Sequence, residues 1–251
     1  MSSSNKKNHP HTSAVYLYGI VREYESILPA LKKIARDNTL DTASPKRQAA
    51  TAALMGHECG FRVGNTESAR EKKHYGTTTM LGKHVLQDKI AFVGKSCVYN
   101  SCKLTKLSRS LLGNIMDIKK GKNKQLLPKA TPKNINQLLD KCRTVKKKPF
   151  TSQDIRRIRA NRTLVRHLPN KPATEESLRK KEVSASIEKA ACSIQNKPAT
   201  CRKSYLCQDT MRMYITDPKA FSKIKKTKKT FSAFCKSVWL WSNKHPDTKK
   251  I

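Results

Sequence analysis

Asn196-Lys197-Pro198-Ala199-Thr200-Cys201-Arg202-Lys203-Ser204-Tyr205 carries a basic run onto a single tyrosine, directly after a long amphipathic helical pattern. A phenol has a pKa of about 10, so near neutrality only about a thousandth of it is the nucleophilic phenolate. Neighbouring cations raise that fraction. Tyrosine forms covalent intermediates when something activates it and something else stabilises charge at the target. Taken alone, a tyrosine after two basic residues is more often a half-buried helix residue, so the surrounding chain has to decide.

Upstream of this run, Thr174 followed by Glu175 and Glu176 predicts a capped helix with Val183, Ile187, Ala190, Ala191 and Ile194 on its apolar face. Thr131-Pro132 predicts a helix bearing Ile135, Leu138, Leu139 and Cys142, and Thr151 the start of the next, bearing Ile155 and Ile158. The lysine-rich stretch from Gly113 to Ala130 reads as turns. Between Lys83 and Thr105 the period changes: His84-Val85-Leu86, Ile90-Ala91-Phe92-Val93 and Cys97-Val98-Tyr99 read as short strands of a small antiparallel sheet, with Lys95 at a hairpin tip. Ser44-Pro45 opens a helix that runs to about Gly60. Nearer the start, Tyr24, Ile27, Leu28, Leu31 and Ile34 recur at helical spacing, with Pro29 expected to restart the helix, and residues 1–13 are expected to be a disordered polar tail. Downstream, Phe231, Phe234, Val238 and Trp241 share one helical face, a core-packing pattern first and a stacking platform for bases second. Lys223 to Lys229 forms a basic cluster.

The bulk properties narrow the class. Among 251 residues, 53 Lys and Arg face 18 Asp and Glu, a net charge of +35. That excess is spread from end to end and calls for a polyanionic partner, nucleic acid foremost. A hydrophobic share of 37% with clear periodicity describes a folded, charged protein and not a disordered basic tail. No apolar run is long enough to cross a bilayer and the N-terminal residues lack a signal-peptide core, so an intracellular location and no membrane partner are expected. The eight cysteines include no Cys-x-x-Cys and are expected to be reduced thiols; no metal-ligand spacing and no phosphate-cradling glycine loop occurs.

Three further segments carry a resemblance. Phe61-Arg62-Val63-Gly64-Asn65, then Glu71-Lys72-Lys73-His74-Tyr75-Gly76-Thr77-Thr78-Thr79, then Lys83-His84-Val85, resemble the arginine-bearing segment of type IB DNA topoisomerases of the poxvirus and bacterial kind. Phe92-Val93-Gly94-Lys95-Ser96 resembles the hairpin with that family's catalytic lysine. Phe150 to Arg156 resembles the segment with its second arginine, and Asn196 to Tyr205 the active-site tyrosine segment. The likeness runs from about residue 20 to the C-terminus in the family's order.

The resemblance implies an α+β, mostly α-helical fold: the DNA breaking-rejoining catalytic core shared with tyrosine recombinases, with a small antiparallel sheet, over residues 14–251. It implies Tyr205 as nucleophile, Arg62 and Arg156 as the arginines on the phosphate and Lys95 as the acid for the leaving 5′-oxygen. Asn196 would be the donor to a non-bridging oxygen, in place of the histidine of poxvirus members. Tyr75, Lys83, Arg202 and Lys203 are implied DNA contacts. The chemistry suits these residue types, because phosphoryl transfer is mainly positioning and charge stabilisation, and guanidinium forks match phosphate oxygens. Duplex DNA is the implied partner, bound by a monomer. Neither ATP nor metal is implied, since the phosphotyrosyl ester stores the energy of the broken bond. The location is intracellular and DNA-associated: nucleus, viral factory or virion.

This chain departs from the pattern at Ser68, where the family usually has a backbone-contacting tyrosine, at Gln153, where a second basic residue is common, and at Cys97, where glycine is usual. The family's β-rich N-terminal clamp domain is expected to be absent ahead of Tyr16, so a separate chain supplying it is a candidate partner. Two other readings compete. A tyrosine recombinase would show Leu-Arg-His-like and Gly-His-like signatures and a shorter interval than Arg156 to Tyr205. A non-catalytic basic DNA-binding descendant would have lost one of Arg62, Lys95, Arg156 or Tyr205.

Overall fold

The computed structural model describes residues 10–37, 39–144 and 149–246. In chain order the described helices are α1 (Ala14–Arg36), α2 (Pro45–Cys59), α3 (Thr66–Lys72), α4 (Arg109–Ile118), α5 (Pro132–Lys141), α6 (Ser152–His167), α7 (Glu176–Ser193), α8 (Pro198–Ser204), α9 (Gln208–Thr216), α10 (Pro218–Thr227) and α11 (Phe231–Lys244). The strands β1 (Lys89–Val93) and β2 (Tyr99–Lys103) form one antiparallel hairpin. The mostly helical α+β class expected from the sequence is what the chain adopts. Two compact units divide it: Glu23–Arg159 with Ser193–Asn196, called here the arginine unit, and Met1–Arg22, Ala160–Cys192 and Lys197–Ile251, the tyrosine unit.

The arginine unit is built on α2. Its run of small residues, Ala49, Ala50, Ala52 and Ala53, with Leu54 and Met55, is almost wholly buried, so the helix accepts neighbours on several sides; α5 and α4 are the closest of them. Arg47 on α2 is also buried. It donates to Asn114 Oδ1 of α4 (2.9 Å) and to the Leu40 carbonyl (3.0 Å), which is how a guanidinium is kept in a core without a penalty for lost water. Thr131 and Asn134 form a reciprocal capping box at the start of α5, as the Thr-Pro pair predicts.

In the tyrosine unit the apolar face of α11 is core, as expected: Phe234, Val238 and Trp241 are buried, and Trp241 Nε1 donates to Asp217 (2.9 Å). Phe221 of α10 meets Tyr214 and Phe234 edge-on, at 4.9 and 5.8 Å. The alternative of a base-stacking face there is overturned by this burial.

Several expectations fail for identifiable reasons. Pro29 does not restart a helix; it lies exposed inside the continuous α1, where its ring faces away from the core. The stretch from Gly113 is not all turns: Ser108 caps α4, and Leu111, Ile115 and Ile118 bury its apolar face, which the lysines downstream masked in the sequence. His84 and Val85 are no strand; Gly82–His84 is a 3-10 turn, and only Val85 bridges to Ile90. Cys97 and Val98 belong to the hairpin turn, not to a strand. The reduced-thiol reading is wrong for two of eight cysteines. Cys59 and Cys102 form a disulfide with Cα atoms 5.5 Å apart, closing a separation of 43 residues that no short-spacing rule detects. Residues 10–12 of the expected tail form a 3-10 turn in which Thr12 is buried; residues 1–9 lie outside the described residues.

Candidate active site

Four of the five candidate catalytic residues, Arg62, Lys95, Arg156 and Asn196, belong to the arginine unit. The segment with Arg62 begins where α2 stops. Gly60 ends the helix in the left-handed region (φ 73°), and a Cβ there would run into the backbone of Ser193 and Ile194. Phe61, wholly buried, packs edge-on against Phe92 of β1 at 4.8 Å and so anchors the extended chain that presents Arg62, half-buried, as its next residue.

A second strand of chain lies against this one. Thr77 N donates to the Arg62 carbonyl (2.8 Å), and Gly64 N to Thr78 Oγ1 (3.0 Å). The approach is so close that a Cβ on Gly76 would sit 2.5 Å from Gly64 N and 2.7 Å from Arg62 O. Tyr75 N donates to Val93 O (2.8 Å), which fastens this chain to the end of β1. The Tyr75 ring rests edge-on upon the buried His84 at 4.4 Å. His84 Nδ1 accepts from Leu81 N (3.0 Å), and burial, with Lys83 beside it, pushes its pKa down to about 4. His84 is therefore a neutral packing residue. Lys83 is exposed, its N–H donating to Lys122 O (2.7 Å).

Lys95 stands where the sequence puts it, exposed in the turn between Val93 and its partner Tyr99. Ser96 (φ 61°) and Cys97 (φ 58°) both occupy the left-handed region, which favours glycine over either residue. Cys97 Sγ lies 3.4 Å from His74 Nε2. Ser68, the other departure near this segment, donates its N–H to Asn65 Oδ1 (2.9 Å) and so helps cap α3. Gln153 is exposed at the start of α6.

Arg156 projects from α6 and is buried. Its Nε donates to Gly60 O (3.0 Å) and its Nη2 to Ile194 O. These carbonyls lie two residues before Arg62 and two before Asn196, so one guanidinium holds both approaches. Asn196 is half-buried and follows Gln195, whose φ of 52° is left-handed and whose Nε2 donates to Ser101 O of β2 (3.1 Å). A residue that the sequence showed only as one arginine among several, Arg159, binds the same two segments: Nε to Ser193 O and Nη1 to His57 O, both 2.7 Å. Its position one helical turn after Arg156 was the available signal.

Tyr205 belongs to the tyrosine unit. Lys197 and Pro198 start α8, and Tyr205 ends it, donating its N–H to Cys201 O (3.0 Å). The residue is almost wholly buried. Asn161, itself buried, fixes the chain on both sides: its Nδ2 donates to Tyr205 O and its Oδ1 accepts from Cys207 N, each at 2.8 Å. Arg202 and Lys203 are exposed on α8.

The arginine unit thus joins a half-buried arginine, a buried arginine, an amide and an exposed hairpin lysine through one hydrogen-bonded frame, a set able to neutralise and protonate a phosphodiester but not to attack it. Among the described residues, no group of three His, Cys, Asp or Glu is placed to hold a metal ion, and no helix is long and apolar enough to cross a membrane. A family model described as eukaryotic DNA topoisomerase I, catalytic core, matches residues 7–233. No curated protein matches the chain.

Proposed function

Because the chain belongs to the family of the eukaryotic DNA topoisomerase I catalytic core, we propose that it relaxes supercoiled duplex DNA by joining one strand transiently to Tyr205. The family makes it a type I topoisomerase, an isomerase whose partner is DNA. The type IB course and the roles of single residues are our reading.

In that reading the Tyr205 oxygen attacks the scissile phosphorus, the P–O bond to the 5′-oxygen breaks, and Lys95 gives that oxygen its proton. The product is a 3′-phosphotyrosyl ester and a free 5′-hydroxyl. Arg62 and Arg156 carry the negative charge that spreads over the non-bridging oxygens, and Asn196 donates to one of them. Rotation of the strand is followed by attack of the 5′-hydroxyl on the ester, which restores the phosphodiester and the phenol. Each step exchanges one phosphoester for another, so the cycle needs neither ATP nor metal. Tyr75, Lys83, Arg202 and Lys203 contact the duplex, three of them by charge. The enzyme acts as a monomer wherever DNA lies, with or without a second chain closing over the duplex.

The observation that most supports this is the frame of the arginine unit, in which side-chain and backbone hydrogen bonds to main-chain carbonyls tie the segments of Arg62, Arg156 and Asn196 to the hairpin of Lys95. The test is relaxation of negatively supercoiled plasmid in EDTA without ATP, beside Tyr205→Phe. Relaxation by the parent and none by the variant upholds the reading. A parent that binds DNA and leaves it supercoiled at every salt concentration sinks it.

A further inference from the structure

Helix C-termini leave their last carbonyls unpaired and carry partial negative charge. In the arginine unit two such ends converge on α6. The end of α2 offers His57 O and Gly60 O, and the end of α7 offers Ser193 O and Ile194 O. Arg156 takes Gly60 and Ile194; Arg159, one turn later, takes His57 and Ser193. Four charge-assisted bonds from one face of α6 therefore fix the two backbone exits that lead to Arg62 and Asn196.

The two guanidiniums share one task. Arg156 sets its Nε on the Gly60 carbonyl and its Nη2 on that of Ile194. Arg159 has its Nε and Nη1 on carbonyls of segments that each lie a few residues before a candidate catalytic side chain. The exit after Ser193 also needs outside support, because Gln195 is left-handed at φ 52°, a conformation that is strained for a non-glycine residue. Release of Ser193 and Ile194 lets Gln195 relax and moves Asn196 with it.

We propose that Arg159 is a positioning residue for the strand-cleavage reaction, acting through Asn196 by holding the ends of α2 and α7 to α6. The proposal rests on the reading of Tyr205, Arg156 and Asn196 given above, and it adds a residue that does not itself touch DNA.

Two variants test it. Arg159→Met keeps the aliphatic stem and loses both bonds; Arg159→Lys keeps the charge and can reach one carbonyl. The covalent DNA adduct is followed in single turnover at saturating duplex, and duplex affinity is measured separately. Arg159→Met is expected to slow adduct formation about 30-fold while affinity changes less than about 3-fold, the loss typical of hydrogen bonds to a charged group. Arg159→Lys should recover part of that rate. In a double-mutant cycle, Arg159→Met added to Asn196→Ala should be no more than about 3-fold slower than Asn196→Ala alone, since both act through one group.

Amide hydrogen exchange supplies a readout that does not need the reaction: both variants should lose protection in residues 57–62 and 193–197 and keep it elsewhere. An unchanged adduct rate, fully multiplicative effects of Arg159 and Asn196, or unchanged exchange in those two segments would each overturn the proposal. If the parent protein forms no adduct with DNA, the reading of Tyr205 fails. The exchange result alone then upholds or rejects Arg159 as the clamp.

Discussion

Gly76 is where two strands of chain come closest beside Arg62. An alanine there would put its Cβ 2.5–2.7 Å from three backbone atoms that cannot move independently. We expect Gly76→Ala to lower the unfolding free energy by about 1–3 kcal/mol, the range for forced overpacking, read as a shifted urea midpoint with an unchanged slope. A midpoint like the parent's would mean that the two strands separate freely. At the neighbouring His84 the expectation concerns pH. The imidazole titrates near 4 in the folded chain and near 6.5 unfolded, so between these values the unfolded state binds the extra proton. Stability is therefore full above about pH 6.5, falls as pH drops towards 4 and levels below it. The fall in melting temperature between pH 7.5 and 5 should shrink in His84→Gln; an equal fall would assign the acid sensitivity to other groups.

The element that most reflects a local conflict is the β1–β2 hairpin. Its register, Val93 opposite Tyr99, leaves a turn in which Ser96 and Cys97 are both left-handed, at an expense met only because the paired strands hold the ends. Cys97→Gly should raise the unfolding free energy by about 1 kcal/mol, whereas Cys97→Ala should not, since alanine keeps the Cβ that strains this position. Equal stabilities of the two variants in chemical denaturation would show that the turn is unstrained. The same element shows how far local pattern reaches. Apolar alternation located β1 and the tip lysine, and the Thr-Pro and Ser-Pro pairs located the starts of α5 and α2, because caps and turns are determined by a few adjacent residues. Pro29 inside α1 and the apolar face of α4 were misread because packing outweighs a proline's propensity cost and a lysine-rich neighbourhood.

At the scale of the molecule, charge is the dominant property. A net +35 implies a partner whose counterions are released on binding. If Arg62, Lys83, Lys95, Arg156, Arg202 and Lys203 lie on phosphates, as proposed, the logarithm of duplex affinity should fall against the logarithm of salt with a slope of about −5. Lys83→Ala or Arg202→Ala should each flatten it by about 1. A slope near zero, or one indifferent to both substitutions, would remove these residues from the interface.

The sequence by itself determined the helical class, the hairpin with its lysine, the basic character and the ordered motifs by which the family is recognised. These depend on residue types at short range, on periodicity and on composition. Only the tertiary structure decided that Arg156 is buried against Gly60 and Ile194, that Arg159 shares its task, that His84 is a neutral packing group and that Cys59 meets Cys102. Apart from His84, whose ring partners lie within ten residues, these depend on groups tens of residues apart in the chain, and which carbonyl or thiol a side chain meets is settled by how whole helices pack.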